Sequence, residues 1–372
     1  MMFKSKIITA TFALMALGST VSFAGNEDRA GSAGANELLV NPWARSSGWA
    51  GAGMSWVKGI EAQFSNVAGL AYLGKTEIMF TNTNWLGSAG IGMNALGFGQ
   101  RIGETSVIGI GVVANSYGDI PITTTEIPEG GIGTFKPQAM NFNLSFAKEF
   151  TNAISGGMNL KIISHSISNL KAQGIALDAG IRYSTGDKEK IKFGIALKNV
   201  GPPMKYSGDG LSIETQYVFS GQQSATNQKV SSFELPSLVN IGASYDFRFG
   251  SSNAADSTGA EAAEDAGDSD MHVLTLAGTF TSNSFTRDQW RAGLQYAMRT
   301  PKANFYLRGG LVYEKSLFDA SLSATALTGP TGGLSVEIPT GDNGGAIGID
   351  YSYRASNPFG AIHSIGVRID VR

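Results

Sequence analysis

The chain has 372 residues, of which 49 are glycine and 16% are charged, with a formal net charge of −2 and no cysteine. The near-neutral balance argues against nucleic-acid binding, which needs a basic face, and the lack of cysteine excludes disulfides, thiol catalysis, cysteine-ligated zinc and a lipoprotein anchor. Soluble proteins are about a quarter charged, so the low charge favours a transmembrane β-barrel, whose alternating faces keep the mean hydropathy near zero. A soluble β-sandwich is the alternative.

The first residues have the pattern of a secretory signal peptide. Two lysines near the start precede an apolar run at Ile7–Leu17, and small residues stand at Ser22 and Ala24, the positions that a signal peptidase recognises. The sequence therefore predicts a leader at residues 1–24, a mature chain that begins near Gly25, and a location in the cell outer membrane.

The stretch Gly34–Tyr72 is dense in glycine and alanine, contains Trp43, Trp49 and Trp56, and lacks the alternation of a strand. Small residues allow close backbone approach, and tryptophan suits a boundary between apolar and wet surroundings. The apolar content is too high for a solvated tail, and a mobile glycine-rich linker is the alternative. We expect residues 25–75 to form a plug or hatch and residues 76–372 to form the barrel.

From Thr76 onward, segments of alternating apolar and polar residues are separated by turn residues, which predicts strands with two different faces. Val239–Phe249 is typical, because apolar side chains at its odd positions alternate with residues such as Asn240, Ser244 and Asp246. Many of these runs reach the length of about 9–11 residues that a membrane-spanning strand needs. We expect an antiparallel barrel of about fourteen strands. The predicted strands are Thr76–Trp85, Ala89–Gln100, Thr105–Ser116, Phe135–Glu149, Ala153–Ser168, Lys171–Ser184, Lys190–Val200, Leu235–Phe249, Met271–Ser282, Arg287–Arg299, Ala303–Glu314, Phe318–Thr328, Gly345–Arg354 and Ile362–Val371.

Three predicted connections are long, namely Tyr117–Thr134, Gly201–Glu234 and Gly250–Asp270. Outer-membrane barrels have short periplasmic turns and long external loops, so all three are expected on the external side. Gly201–Glu234 is either a loop that contacts a partner or a disordered loop. The acidic run Asp256–Asp270 predicts a solvated loop kept extended by charge repulsion, and a calcium site is the alternative despite its irregular spacing.

No motif in the sequence predicts catalysis. The three histidines, His165, His272 and His363, are isolated from one another, and no nucleophile elbow or pair of metal ligands is present. The glycine-rich run in the plug does not open a helix after a strand, so it does not predict a nucleotide site. We expect no enzyme activity, no cofactor and no metal; a lumenal catalytic role for His165 with Ser164 and Ser166 is the alternative.

Two groups of residues form a pattern known from a protein family. They are Glu37, Leu38, Leu39, Arg45, Glu61, Asn66, Gly69 and Leu70 in the plug, and Asp350, Tyr351, Tyr353, Gly360 and His363 in the last hairpin. With these residues the chain resembles the PorV/PorQ family of outer-membrane proteins, which are related to the FadL-type fatty-acid transport barrels. It departs from the family at Val67, where proline is usual, and it ends in Arg372 rather than in an aromatic residue.

The resemblance implies a barrel of about 14 strands with an N-terminal plug and a role in type IX protein secretion. The PorV-type member docks on a very large translocon barrel and receives secreted cargo through its C-terminal signal domain. The implied partners are therefore that translocon, such cargo and membrane lipid. The alternative function is a FadL-like transporter of hydrophobic small molecules, which needs an apolar lumenal pocket and a lateral opening. A general porin is a third interpretation, against which the apolar plug argues.

Overall fold

The computed structural model describes residues 25–85, 90–216, 223–251, 270–317, 325–340, 344–356 and 360–371. The predicted leader lies outside these residues, and so does the acidic run Asp256–Asp270 except for its last residue. In the described part the helices are short, and none is long and apolar enough to cross a membrane. Most of the rest of the chain is in long strands.

Fourteen long strands form one closed antiparallel barrel. Each strand pairs with its neighbours in the sequence, and the last strand pairs with the first, with Val371 opposite Thr76. The predicted fold class, an all-β antiparallel transmembrane barrel, is confirmed. The barrel strands are β1 (Thr76–Trp85), β2 (Ile91–Ile102), β3 (Ser106–Ser116), β4 (Gln138–Glu149), β5 (Ile154–Ile167), β6 (Leu170–Thr185), β7 (Ile191–Val200), β8 (Leu238–Ser251), β9 (Asp270–Asn283), β10 (Gln289–Arg299), β11 (Asn304–Glu314), β12 (Gly329–Thr340), β13 (Gly345–Ser356) and β14 (Gly360–Val371).

The alternation along the strands places apolar side chains outside the barrel and polar side chains inside it. On β1, Ile78 and Phe80 are 42% and 46% exposed, whereas Glu77, Thr81 and Thr83 are buried in the lumen. The other strands carry similar exposed Leu, Ile and Phe residues. An apolar surface of this extent is not stable in water. The outward apolar face is therefore the lipid-facing surface of a membrane barrel, not the exterior of a soluble sandwich.

The strand directions define two ends of the barrel. Short turns join β2 to β3 and β4 to β5 at the end that also holds Thr76 and Val371, which we call the inner end. The connections 117–137 and 201–237 leave from the opposite end, which we call the outer mouth. Because outer-membrane barrels carry short turns on the periplasmic side, the outer mouth faces the cell exterior.

The third long connection leaves β8 and enters β9 at the inner end, so the prediction that Gly250–Asp270 is external is wrong. β8 ends at Ser251, β9 begins at Asp270, and these two residues pair with each other at the inner end. Length alone does not decide the side on which a connection lies. A single strand, β8, separates this connection from 201–237, and one antiparallel strand always carries the chain to the opposite end.

The predicted strand Phe318–Thr328 lies outside the described residues except for 325–328, and the strand that pairs with β11 is β12, at Gly329–Thr340. Residues 325–328, the described part of the predicted segment, are not in a strand. Pro330 and the glycines near it imitate a turn in the sequence. The glycines have a packing role instead, because a Cβ on Gly333 would lie 2.8 Å from the Cα of Gly48 in the hatch.

Residues 25–75 are folded within the lumen and the outer mouth, and we call them the hatch. Their helices are one or two turns long, with 3₁₀ helices at Glu27–Arg29, Asn36–Leu39 and Val67–Tyr72 and α-helical turns at Ala44–Ser47 and Ala62–Ser65. The hatch buries its apolar side chains against small inward-facing residues of the wall, which leaves the lumen plugged. The residues of this shared core include Trp43, Val57, Ile60 and Leu70 of the hatch and Ala95, Val107 and Ala147 of the wall.

Candidate functional site

Buried polar contacts fix the hatch to the barrel wall. Arg182 on β6 is fully buried, donates to the carbonyl oxygen of Val57 at 3.1 Å and lies 4.1 Å from the ring centroid of Tyr72. Glu77 on β1 accepts a hydrogen bond from the backbone N–H of Ile60 at 2.8 Å. These wall residues satisfy hatch backbone groups that short helical turns leave unpaired. The plug is therefore bonded to the wall rather than only packed against it.

Several hatch residues of the sequence resemblance belong to this set of contacts. Arg45 pairs with Glu61 at 3.5 Å, inside the lumen. Asn66 caps the 3₁₀ turn at Val67–Tyr72 and also donates to the carbonyl oxygen of Ile181 on β6 at 3.1 Å. A Cβ on Gly69 would lie 2.3 Å from a carbonyl oxygen of the hatch backbone, so no larger residue fits there.

The remaining hatch residues of that set are spread over three places. Leu70 lies in the hatch core, and Leu38 is buried nearer the outer mouth with Ile163 of β5. Leu39 lines a lumenal cavity, and Glu37 lines a pocket at the outer mouth. The structure therefore does not bring the resemblance residues together into one site.

The five hairpin residues divide between the two faces of the wall. Asp350 points into the lumen, where it accepts a hydrogen bond from a serine of β12. Tyr351, Tyr353 and His363 point outward. The Tyr351 hydroxyl lies 2.8 Å from Nδ1 of His363, and the Tyr353 ring centroid lies 5.7 Å from that of the imidazole. Gly360 opens β14 with a φ of +85°, a conformation that glycine adopts without strain.

A small cavity of about 80 Å³ lies in the lumen between the hatch and the wall. Apolar side chains, neutral polar side chains such as Asn41, Asn240 and Asn283, and three basic residues line it, and none of its lining residues in the described part of the chain is Asp or Glu. Burying positive charge without a carboxylate partner is costly. The cavity is therefore suited to an anionic group. Its apolar lining includes Leu39, Met54, Phe64, Leu238, Val312 and Leu327, and its cations are Lys198, Arg291 and Arg354.

The three cations have few protein partners. Arg354 is 8% exposed, and its Nε and Nη2 have no hydrogen-bond partner, nor does Nε of Arg291. Nη2 of Arg291 donates to the neutral amide oxygen of Gln289 at 3.0 Å. Nζ of Lys198 lies 3.6 Å from the ring centroid of Phe64. Among the described residues none of the three forms an ion pair. The Asp178 carboxylate, which pairs with Lys161, also attracts Lys198, so the positive charge of the cavity is only partly compensated.

A larger pocket of about 650 Å³ opens at the outer mouth. Four aromatic residues contribute to its mainly apolar lining: Trp85 at the end of β1, Tyr117 beyond β3, and Tyr206 and Phe233 from the connection 201–237. Small-molecule sites are mostly apolar clefts of about 300–1,000 Å³. The size and lining of this outer pocket therefore suit the body of a small hydrophobic molecule.

A paired acid and imidazole line the buried side of the outer pocket. Oε1 of Glu37 lies 2.8 Å from Nε2 of His165, and Nδ1 of His165 lies 3.3 Å from the Tyr206 hydroxyl. Phe233 stacks on the imidazole with a centroid separation of 6.3 Å. Burial, with a smaller contribution from the Glu37 carboxylate, raises the pKa of the Tyr117 hydroxyl. Tyr117 therefore stays protonated and neutral under ordinary conditions.

The sequence did not lead to the cations of the lumenal cavity. Lys198, Arg291 and Arg354 are inward-facing. The cross-strand neighbours of Arg291 and Arg354 are uncharged, which is the one sequence signal that marks those two, whereas Lys198 lies opposite the irregular pairing around Asp178 of β6. This signal can be recognised only when the strand register is known, and the alternation of apolar and polar residues does not provide the register. Ser164 and Ser166 flank His165 on β5, so they point to the opposite face of the wall and do not form a catalytic group with it.

Solved outer-membrane proteins share the fold of this chain. A FadL homologue from Pseudomonas aeruginosa is similar with a TM-score of 0.54 at 12% identity, covering 89% of this chain and 98% of that one. The toluene transporter TodX from Pseudomonas putida is similar with a TM-score of 0.51 at 10% identity, covering 89% and 97%. The monoaromatic hydrocarbon channel CymD is similar with a TM-score of 0.50 at 12% identity, covering 90% and 98%.

No protein-family model matches the chain, and no curated protein is significantly similar to it. At the identities of the solved structures, the likeness shows the fold alone. The chain has a barrel fold like that of FadL-type proteins.

Proposed function

We propose that this protein is a FadL-like outer-membrane transporter of hydrophobic small molecules that carry an acidic head group. The observation that carries the proposal is the lumenal cavity, where three basic side chains meet a mixed apolar and neutral polar lining without a carboxylate among its described residues. A neutral hydrocarbon would neither neutralise these positive charges nor accept hydrogen bonds from the unpartnered guanidinium nitrogens. A carboxylate attached to an apolar chain satisfies both the charge and the apolar surface.

The outer pocket provides the first binding step of this proposal. Its aromatic lining binds the apolar body of a ligand by burial of surface, at about 25 cal/mol per Å². The lumenal cavity provides the second step, in which N–H groups of Arg291 and Arg354 bind the head group. Hydrogen bonds to charged groups contribute about 1.5–3 kcal/mol each, so the second step supplies the selectivity.

Movement of the hatch is part of the proposed transport. The cavity of about 80 Å³ has room for a head group but not for a whole amphiphile. The lumen beyond it is filled by the hatch core. We therefore propose that the apolar chain advances only when hatch contacts such as that between Arg45 and Glu61 separate.

The direct test compares the binding of a fluorescent fatty acid with that of its methyl ester to the purified barrel in detergent. Arg354→Gln and Arg291→Gln remove a charge while keeping a polar side chain. Each is expected to weaken binding of the acid about 10-fold or more and to leave binding of the ester nearly unchanged, because only the acid has a carboxylate that pairs with the guanidinium group.

Lys136→Gln is the matched control, because Lys136 lies on an outer connection and pairs with Asp119 in solvent. It removes the same net charge without touching the cavity. The proposal is wrong if acid and ester bind equally to the parent protein, or if the control weakens acid binding as much as the cavity variants do.

A second candidate function is docking in type IX secretion, with the translocon barrel and secreted cargo as partners. The observation that favours it is the outward cluster of Tyr351, Tyr353 and His363. These residues belong to the sequence resemblance and lie on the exterior wall rather than in the lumen. Polar aromatic side chains on a membrane-facing surface suit contact with another membrane protein as well as with lipid head groups.

The second candidate predicts co-purification of the tagged protein with a very large barrel and with cargo that carries a C-terminal signal domain, in mild detergent. Tyr353→Leu should weaken that association, and Tyr313→Leu, another outward tyrosine, should not. Recovery of the barrel with lipid alone would contradict the secretion role and leave the transport proposal in place.

A further inference from the structure

The first described residues form a strap across the outer mouth. Arg29 pairs with Glu234 at 2.6 Å and lies 4.3 Å from the ring centroid of Phe285. Ala33 forms a parallel bridge with Glu234, and the N–H of Gly34 donates to the carbonyl oxygen of the same residue at 2.9 Å. The strap therefore joins two connections of the outer mouth, 201–237 and 284–288.

The strap begins at a closely fitted position. The nitrogen of Gly25 donates to Oδ2 of Asp288 at 2.9 Å. A Cβ on Gly25 would lie 2.8 Å from the carbonyl oxygen of Thr286 and 2.9 Å from the nitrogen of Asp288, so no side chain fits there. Oδ1 of Asp288 accepts from the backbone N–H of Asn283 at 3.3 Å, which orients the carboxylate.

The expected maturation of the chain changes the chemistry of this contact. Hydrolysis of the Ala24–Gly25 peptide bond consumes one water and leaves a carboxylate on Ala24 and an α-ammonium on Gly25. The nitrogen that was an amide with one N–H then carries a positive charge and three N–H donors. A charge-assisted hydrogen bond is about twice as strong as a neutral one.

We propose that Asp288 is the binding site for the mature amino terminus, and that leader removal completes a latch which holds the strap over the lumen. Thr286 and Asn283, which surround the latch, also line the lumenal cavity. The latch therefore closes the cavity on its outer side. This inference rests on the predicted cleavage after Ala24 and does not depend on which ligand the cavity takes.

The test measures how fast the α-amine of Gly25 reacts in the folded protein. A short pulse of formaldehyde and cyanoborohydride dimethylates free amines, and peptide mass spectrometry reports the labelled fraction at the amino terminus. Asp288→Asn keeps an oxygen that accepts from Asn283 but removes the charge. It should raise the labelling rate about five- to ten-fold and speed tryptic cleavage after Arg29 by a similar factor.

Asp209→Asn is the matched control, because Asp209 lies on the outer connection 201–237 away from the strap. Gly25→Ala is a second variant, which should open the latch by steric conflict while Asp288 is intact. Three results would overturn the proposal: a mature chain that does not begin at Gly25, parent labelling as fast as in the unfolded chain, or equal effects of Asp288→Asn and Asp209→Asn.

Discussion

The outer pocket and the lumenal cavity are opposite in size, access and charge. The outer pocket has about 650 Å³, opens to the exterior and is lined mainly by aromatic and aliphatic side chains above the carboxylate of Glu37. The lumenal cavity has about 80 Å³ and is surrounded by three cations that form no ion pair within the described residues. The two sites therefore present very different surfaces.

Under the proposed transport function, this difference separates capture of a ligand from its selection. Burial of apolar area is not directional and accepts many molecules, which suits a site that must collect ligands from the exterior. Unpaired buried cations discriminate sharply, because a neutral molecule cannot satisfy them. The hatch is the floor of the outer pocket and a wall of the cavity, so it controls whether the two sites stay distinct.

Substitution of Gly333 by Leu is expected to have the largest effect on the separation of the two sites, because it disrupts the packing of the hatch against the wall. A Cβ at this position would lie 2.8 Å from the Cα of Gly48, and overpacking of this kind costs about 1–3 kcal/mol. The hatch should separate from β12 and the open fraction of the lumen should rise about 10- to 100-fold. Ion conductance in planar bilayers measures this opening.

The control for that substitution is Gly309→Ala on β11, because a Cβ there meets no atom within 4 Å. Its conductance should equal that of the parent barrel. If Gly333→Leu conducts no better than Gly309→Ala, the contact between hatch and wall does not keep the two sites apart.

Phe233→Ala is expected to have an intermediate effect, confined to the outer pocket. Loss of one ring from an apolar lining should weaken binding of a fatty acid and of its methyl ester equally, by about 3- to 10-fold, since the ring interacts with the apolar body that both share. Phe135→Ala, on the neighbouring outer connection, is the control. Selective loss of acid binding would show that the outer pocket also distinguishes charged from neutral ligands. That result would contradict the assignment of charge selection to the lumenal cavity.

Glu37→Gln is expected to have the smallest effect. Glutamine keeps a hydrogen bond to His165 but removes the negative charge beside the outer pocket. Because the Glu37 carboxylate helps to raise the pKa of Tyr117, that pKa should fall while the contribution of burial remains. Absorbance titration of the difference between parent and variant measures the change, with Tyr117→Phe as the variant that removes the signal. A pKa that rises or does not move would show that Glu37 does not act on this pocket.

The barrel could be predicted from the sequence because its strands repeat one pattern, the alternation of apolar and polar residues. In β8, the outward residues Ile241, Tyr245 and Phe247 alternate with inward polar ones. The C-terminal end of the predicted strand lies within two residues of the observed C-terminal end. β12 was missed because Pro330 and the adjacent glycines carry turn chemistry inside a strand. Those glycines allow close packing against the hatch, and the local sequence does not reveal that contact.

The site was much less accessible than the fold. Alternation places Lys198 and Arg354 in the lumen, but it does not place them together, since they lie on strands far apart in the sequence. Their proximity depends on strand register and on how the hatch fills the space between them. The Glu37 to His165 pair was missed for the same reason, because one partner belongs to the hatch and the other to β5.

The path of the hatch has a consequence for assembly. From Gly25 the described residues run from the outer mouth through the lumen and join β1 at the inner end, and the barrel closes only when β14 meets β1. That seam joins the two ends of the barrel sequence, so it is the pairing with the largest sequence separation and we expect it to form late. The hatch is bonded to β1 and β6, so we expect the ring to close around a core that is already present. On this expectation, assembly of the protein is the wrapping of a sheet around its own amino-terminal segment, not the threading of a finished pore.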